Sequence, residues 1–180
     1  VVGDVNIILG NGMTMTVNTT GNGIDGKDYS NPGDLTIYGQ TVQGGTLSVS
    51  AGDEGICCQN FTVNSGTVIA TGVSYGINAE IGAITINNGA VNATSSYFGS
   101  GSGISASLSI TISGGTVEAH SKCYGISCYV GDITISGGNV TAECTDYPSG
   151  KGIFCHEDNI TGNITISGGT IEAKGGTWAA

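Results

Sequence analysis

One pattern constrains this chain more than any other: an apolar-Thr-apolar triplet that returns six times. The copies are Leu35-Thr36-Ile37, Phe61-Thr62-Val63, Ile84-Thr85-Ile86, Ile110-Thr111-Ile112, Ile133-Thr134-Ile135 and Ile164-Thr165-Ile166. Their start-to-start spacings are 26, 23, 26, 23 and 31 residues, and a looser copy, Val5-Asn6-Ile7, precedes them. A second alternating segment follows each copy, usually after Gly-Gly or Asn-Gly, as in Gly115-Thr116-Val117-Glu118-Ala119. A third element is the dipeptide Gly-Ile, at Gly23, Gly55, Gly76, Gly103, Gly125 and Gly152. Alternation of apolar and polar residues gives each segment one inward and one outward side. Three short strands in a repeat of about 20–30 residues predict an all-β chain folded as a parallel β-helix. The preference for right-handed crossovers makes it a right-handed solenoid. About six coils and a partial seventh would make a rod of roughly 29 Å between first and last stack.

Composition removes the alternatives. Glycine supplies 33 of 180 residues, and each would cost about 1 kcal/mol inside a helix. Four lysines, no arginine and 14 acids leave a net charge of −10. Nucleic acids and anionic membranes need a basic surface, so neither is an expected partner. No apolar run of about 18 residues exists to insert into a membrane.

The repeats also predict columns. Two residues after each Ile of the Gly-Ile element stands a small residue: Gly26, Cys58, Ala79, Ala106, Cys128 and Cys155. These should face inward, while the six triplet threonines form an outward ladder. No Gly-Ile follows Ala173. The expectation is one domain over residues 1–180 that is a fragment of a longer protein, or that abuts another domain.

The opening Val5-Asn6-Ile7-Ile8-Leu9, then Leu35-Thr36-Ile37-Tyr38-Gly39 and the Ile-Thr-Ile-Ser-Gly-Gly-Thr-Val units resemble the Gly-rich β-helical repeats of surface and secreted proteins from Gram-positive anaerobes. Some members of that group are cell-surface carbohydrate-binding β-helices that take plant polymers such as cellulose or pectin. The resemblance implies an extracellular or cell-surface module with a polysaccharide, or a host or plant glycan, as partner. It rests on turn glycines and core apolar residues, so the binding residues must come from the chain itself.

Loops before Gly-Ile collect aromatics: Tyr75, Tyr97, Phe98, Tyr124 and Tyr147. Tyr75 and Tyr124 hold one slot two coils apart. That is roughly 9.6 Å, commensurate with the disaccharide repeat of an extended β-linked polysaccharide. Flat rings stack on sugar C–H surfaces, and the tyrosine hydroxyl adds a polar handle; packing over loop backbone is the competing reading. No cofactor is required, although Asp25, Asp28 and Asp34 make an oxygen-rich loop of the kind that can hold Ca²⁺. A second long loop contains His156-Glu157-Asp158, and His120 and His156 read as loop histidines. Glu118 and Glu172 share an outward slot two coils apart, at the upper limit of an inverting glycosidase pair. They would lie on a flat face without a cleft, so the chain reads as non-catalytic, with polysaccharide lyase or hydrolase activity the minor alternative. A structural stalk with no ligand is the main alternative.

Six cysteines complete the reading. Cys58, Cys128 and Cys155 fall in the inward column, and Cys57 should point outward. Cys128 and Cys155 occupy adjacent coils. Cys123 and Cys144, in the aromatic loops of adjacent coils, are the candidate disulfide.

Overall fold

Two kinds of glycine shape every coil. The first closes the turn after the triplet: Gly66, Gly89, Gly115, Gly138 and Gly169 have φ between 81° and 90°, a region that side chains with a Cβ rarely enter. The second is the glycine of Gly-Ile. A Cβ on Gly125 would lie 2.5 Å from Glu143 N and 2.7 Å from Gly152 O, and one on Gly76 2.6 Å from Thr94 N. This position is fixed by lack of space where two sheets meet, not by a special φ.

The computed structural model describes residues 3–26, 33–40, 44–155 and 162–177. It is all-β, with 20 strands in three parallel sheets. The first sheet stacks Val5–Leu9, Leu35–Gly39, Phe61–Val63, Ala83–Ile86, Ser109–Ile112, Asp132–Ile135 and Ile164–Ile166 in that order. The second stacks Thr14–Thr19, Thr46–Ala51, Thr67–Gly72, Ala90–Ser95, Thr116–Ser121, Asn139–Cys144 and Thr170–Lys174. The third holds Ile24–Asp25, Glu54–Cys58, Tyr75–Ala79, Ser102–Ala106, Tyr124–Cys128 and Lys151–Cys155. Taking one strand from each sheet in turn gives six complete coils and a seventh of two strands. This is the right-handed parallel β-helix expected from the repeat. No helix among the described residues is long and apolar enough to cross a membrane.

Register holds each residue type over its equivalent. Ile37, Val63, Ile86, Ile112 and Ile135 form one fully buried column, and Ile56, Ile77, Ile104 and Ile126 another. Burying each such side chain contributes about 1.5–3 kcal/mol. The small column aligns as expected, with Cys58, Ala79, Ala106, Cys128 and Cys155 as successive partners. The threonine ladder is also in register.

A polar relay marks the corner before the first sheet. Asp4 Oδ1 accepts from Asp34 N at 3.1 Å, Asp34 Oδ1 from Asn60 N at 3.2 Å and Nδ2 at 2.8 Å, and Asn60 Oδ1 from Ala83 N at 2.9 Å. Each side chain satisfies a backbone donor of the next coil.

Cys57 takes the outward slot expected of it and is fully buried there, because the outward side of the third sheet is itself covered. Two expectations change. His120 is not in a loop: it sits in Thr116–Ser121, with Nδ1 3.3 Å from Glu143 Oε2 of the next coil. Cys123 and Cys144 are free thiols rather than a disulfide. Cys123 Sγ donates to Gly99 O at 3.0 Å, while Cys144 Sγ lies 3.1 Å from Lys122 O and 3.3 Å from Tyr147 O. Each sulfur is engaged by a different carbonyl. Cys128 and Cys155 are free as well.

Candidate functional site

The third sheet departs from the other two on its outward side. Its ladder pairs residues on both flanks of each Gly-Ile glycine but passes over the glycine itself. The outward side chains therefore fall into two rows separated by the kink. The first row is Glu54, Tyr75, Ser102, Tyr124 and Lys151; the second is Asp25, Cys57, Asn78, Ser105, Ser127 and Phe154.

The rows interlock diagonally. Asn78 Nδ2 donates to Glu54 Oε1 at 3.1 Å, Ser102 Oγ and Ser127 Oγ are 2.8 Å apart, and Tyr124 stacks on Phe154 with centroids 5.0 Å apart and planes at 15°. In each case a first-row residue meets the second-row residue of the following coil. Ser127 Oγ also reaches Ser105 Oγ at 3.3 Å. This interlocking leaves Glu54 and Ser127 only 7% exposed although they face away from the core.

Between Tyr75 and Tyr124 lies a groove of about 290 Å³, lined also by Ser100, Ser102, Ser105, Ser127 and Tyr129. Its walls are aromatic and its floor is hydroxyl. Tyr75 and Tyr97, with Ser74, Ser100 and Gly101, line a second hollow of about 220 Å³. Phe98 and Tyr147 pair edge to face at 6.4 Å, with Lys122 Nζ 5.2 Å from the Phe98 centroid. All five expected aromatics therefore gather along one edge of the solenoid, in two groups. Burial, reinforced by Cys123, Tyr147 and Cys144, pushes the Tyr124 hydroxyl up, so it remains a hydrogen-bond donor at neutral pH.

A larger trough, about 570 Å³, runs along the first turn. Glycines make up much of its lining, with Gln40, Ser65, Thr67, Asn88 and Thr116 as its polar side chains. It offers no aromatic surface and no charge, so the smaller groove is the better candidate.

Sequence reasoning missed Tyr129, Phe154 and the serine floor. The signal was present in Ser102-Gly103-Ile104-Ser105 and Tyr124-Gly125-Ile126-Ser127, which place a polar residue on each side of Gly-Ile. Of the acidic loop, Asp25 accepts from Asn22 Nδ2 at 2.8 Å and Asp34 serves the corner relay, while Asp28 lies outside the described residues, as do His156, Glu157 and Asp158. Among the described residues no three His, Cys, Asp or Glu side chains group as metal ligands. Glu118 and Glu172 flank Thr141 as expected. Glu118 Oε2 accepts from Asn92 Nδ2 at 2.8 Å, and Glu172 Oε1 lies 3.1 Å from Lys174 Nζ.

The Beta helix repeat family model matches residues 84–107, 110–128, 133–152 and 164–180. These are coils four to seven. That region is a parallel β-helix repeat array. The same strand order and register continue through the first three coils, which the family model does not cover. No curated protein and no solved structure matches the chain.

Proposed function

We propose that this β-helix is a non-catalytic carbohydrate-binding module of an extracellular or cell-surface protein. An extended glycan would lie along the solenoid axis over the third sheet. The observation that carries the reading is the placement of Tyr75 and Tyr124 in one row on either side of Ser102. Two ring faces one disaccharide apart would take alternate sugars, and the Ser102, Ser105 and Ser127 hydroxyls would supply polar contacts between them. Apolar walls with a few convergent polar groups suit a ligand that is itself amphipathic.

Affinity electrophoresis against cellulose derivatives, xylan, pectin and polygalacturonate tests this. Retardation by at least one polymer, lost in the Tyr75→Ala/Tyr124→Ala double variant, is the expected result. Repeating the gels with calcium and with chelator tests the Asp25–Asp34 loop. A stalk that only projects other domains is the second reading, favoured by the uniform threonine face of the first sheet. It predicts no retardation by any polymer.

A further inference from the structure

We infer that the groove binds its glycan in one direction, with an acid-bearing sugar at the Lys151 end. This rests on the glycan-binding reading above and names the sugar chemistry which that reading leaves open. The first row runs Glu54, Tyr75, Ser102, Tyr124, Lys151, over roughly 19 Å. It is a carboxylate-bearing end, an aromatic-hydroxyl centre and a cationic end in a single line.

Lys151 stands apart from the other described lysines. Lys122 Nζ is 3.9 Å from Asp146 and Lys174 Nζ 3.1 Å from Glu172. No carboxylate among the described residues forms an ion pair with Lys151; its Nζ lies 4.6 Å from the Phe154 centroid. Phe154 in turn stacks on Tyr124, which walls the groove. In a chain of net charge −10, an ammonium held on a ring and paired with no acid among the described residues is a group placed for an incoming anion. The ring fixes its position, and an ammonium carries three N–H donors that a ligand acid can accept from.

The opposite end excludes such a group. Glu54 is buried, its Oε1 is taken by Asn78, and its Oε2 has no hydrogen-bond partner. A ligand carboxylate there would find Glu54 buried and the Asn78 amide already engaged by it. The matching ligand is a β-linked glycan with isolated acid groups, carboxylate or sulfate, rather than a polymer charged at every sugar.

The experiment compares the folded chain and its Lys151→Gln and Tyr124→Ala variants on unsubstituted xylan, glucuronoxylan, carboxyl-reduced glucuronoxylan, sulfated xylan and polygalacturonate. Circular dichroism confirms that each variant keeps the native fold. Glucuronoxylan should bind roughly two- to five-fold more tightly than its carboxyl-reduced form. Lys151→Gln should abolish that preference while keeping affinity for unsubstituted xylan, and Tyr124→Ala should weaken binding to both. An equal preference for sulfated xylan supports recognition of charge in general; its absence supports recognition of the carboxylate. Equal wild-type affinity for the acid-bearing and carboxyl-reduced polymers overturns the inference and leaves the binding module standing. So does a preference that survives Lys151→Gln, or tightest binding to polygalacturonate. No binding to any polymer overturns both readings.

Discussion

The outward faces of the first and third sheets are built on the same register and do opposite things with it. Along the first sheet, Thr36, Thr62, Thr85, Thr111, Thr134 and Thr165 repeat one residue from coil to coil. Along the third, the equivalent row changes at every step, from Glu54 through Tyr75, Ser102 and Tyr124 to Lys151. Constant residues in a column serve the stack. Residues that differ in a column add nothing to regular stacking, so their chemistry must be explained by what they meet. In this molecule they meet each other diagonally, and they line a groove.

The comparison can be sharpened most strongly by alkali. The first sheet's inward columns are isoleucine, valine, leucine and phenylalanine, which do not titrate, whereas the third sheet's small column contains thiols. Burial, with Asp34 adding repulsion, pushes Cys58 up to about 12. The folded state thus keeps a proton that the unfolded chain releases near pH 9. Stability is fully present below that value and is lost as pH rises toward about 12, by up to about 4 kcal/mol. Cys58→Ala, which copies Ala79 and Ala106 in the same column, should flatten this part of a urea-midpoint profile against pH. An unchanged slope would assign the alkaline loss to other groups.

The corner glycines give the next largest effect. Gly125→Ala forces a Cβ against three backbone atoms at 2.5–2.7 Å and should cost about 3 kcal/mol. Gly21→Ala, which meets nothing within 4 Å, should stay within about 0.5 kcal/mol. Equal thermal shifts for the two would break the argument that Gly-Ile marks a contact between sheets.

Two asparagines separate covered from open surface. Asn78→Ala deprives buried Glu54 of its donor and should cost about 1–3 kcal/mol in urea titration. Asn87→Ala removes a first-sheet bond, Nδ2 to Asn64 Oδ1 at 2.8 Å. Being exposed, it should change stability by less than about 0.5 kcal/mol.

Binding supplies the smallest free-energy difference and the most direct contrast. Tyr124→Ala should lower polysaccharide affinity roughly tenfold, while Thr111→Ala, in the same coil on the first sheet, should leave it unchanged. Loss of affinity in Thr111→Ala would move the binding face.

The coil count, the three-strand repeat and the inward columns were all legible because each depends on one residue type recurring at one phase. The aromatic edge was legible too, since Tyr75 and Tyr124 precede Gly-Ile in the same way. What escaped were contacts between unlike residues in neighbouring coils. Nothing in a single repeat shows that Ser102 will bond Ser127, or that Tyr124 will stack on Phe154 rather than on another tyrosine. The burial of Cys57 escaped for the same reason: alternation gave its outward side of the strand correctly, but the cover over that side comes from the interlocked rows. His120 looked like a loop residue because its partner, Glu143, belongs to a different repeat.

The one-residue-per-coil row has a consequence for how such a molecule can change. Each coil contributes one first-row residue to the groove face and is joined to its neighbours by core columns that the other coils repeat. Duplicating, deleting or exchanging a coil would therefore rewrite the word without disturbing the grammar. A tandem copy of residues 84–128, two whole coils, should lengthen the groove by two positions and repeat the sequence Ser-Tyr within it. Recognition in this architecture is spelled along an axis, and its length is set by how many times the chain turns.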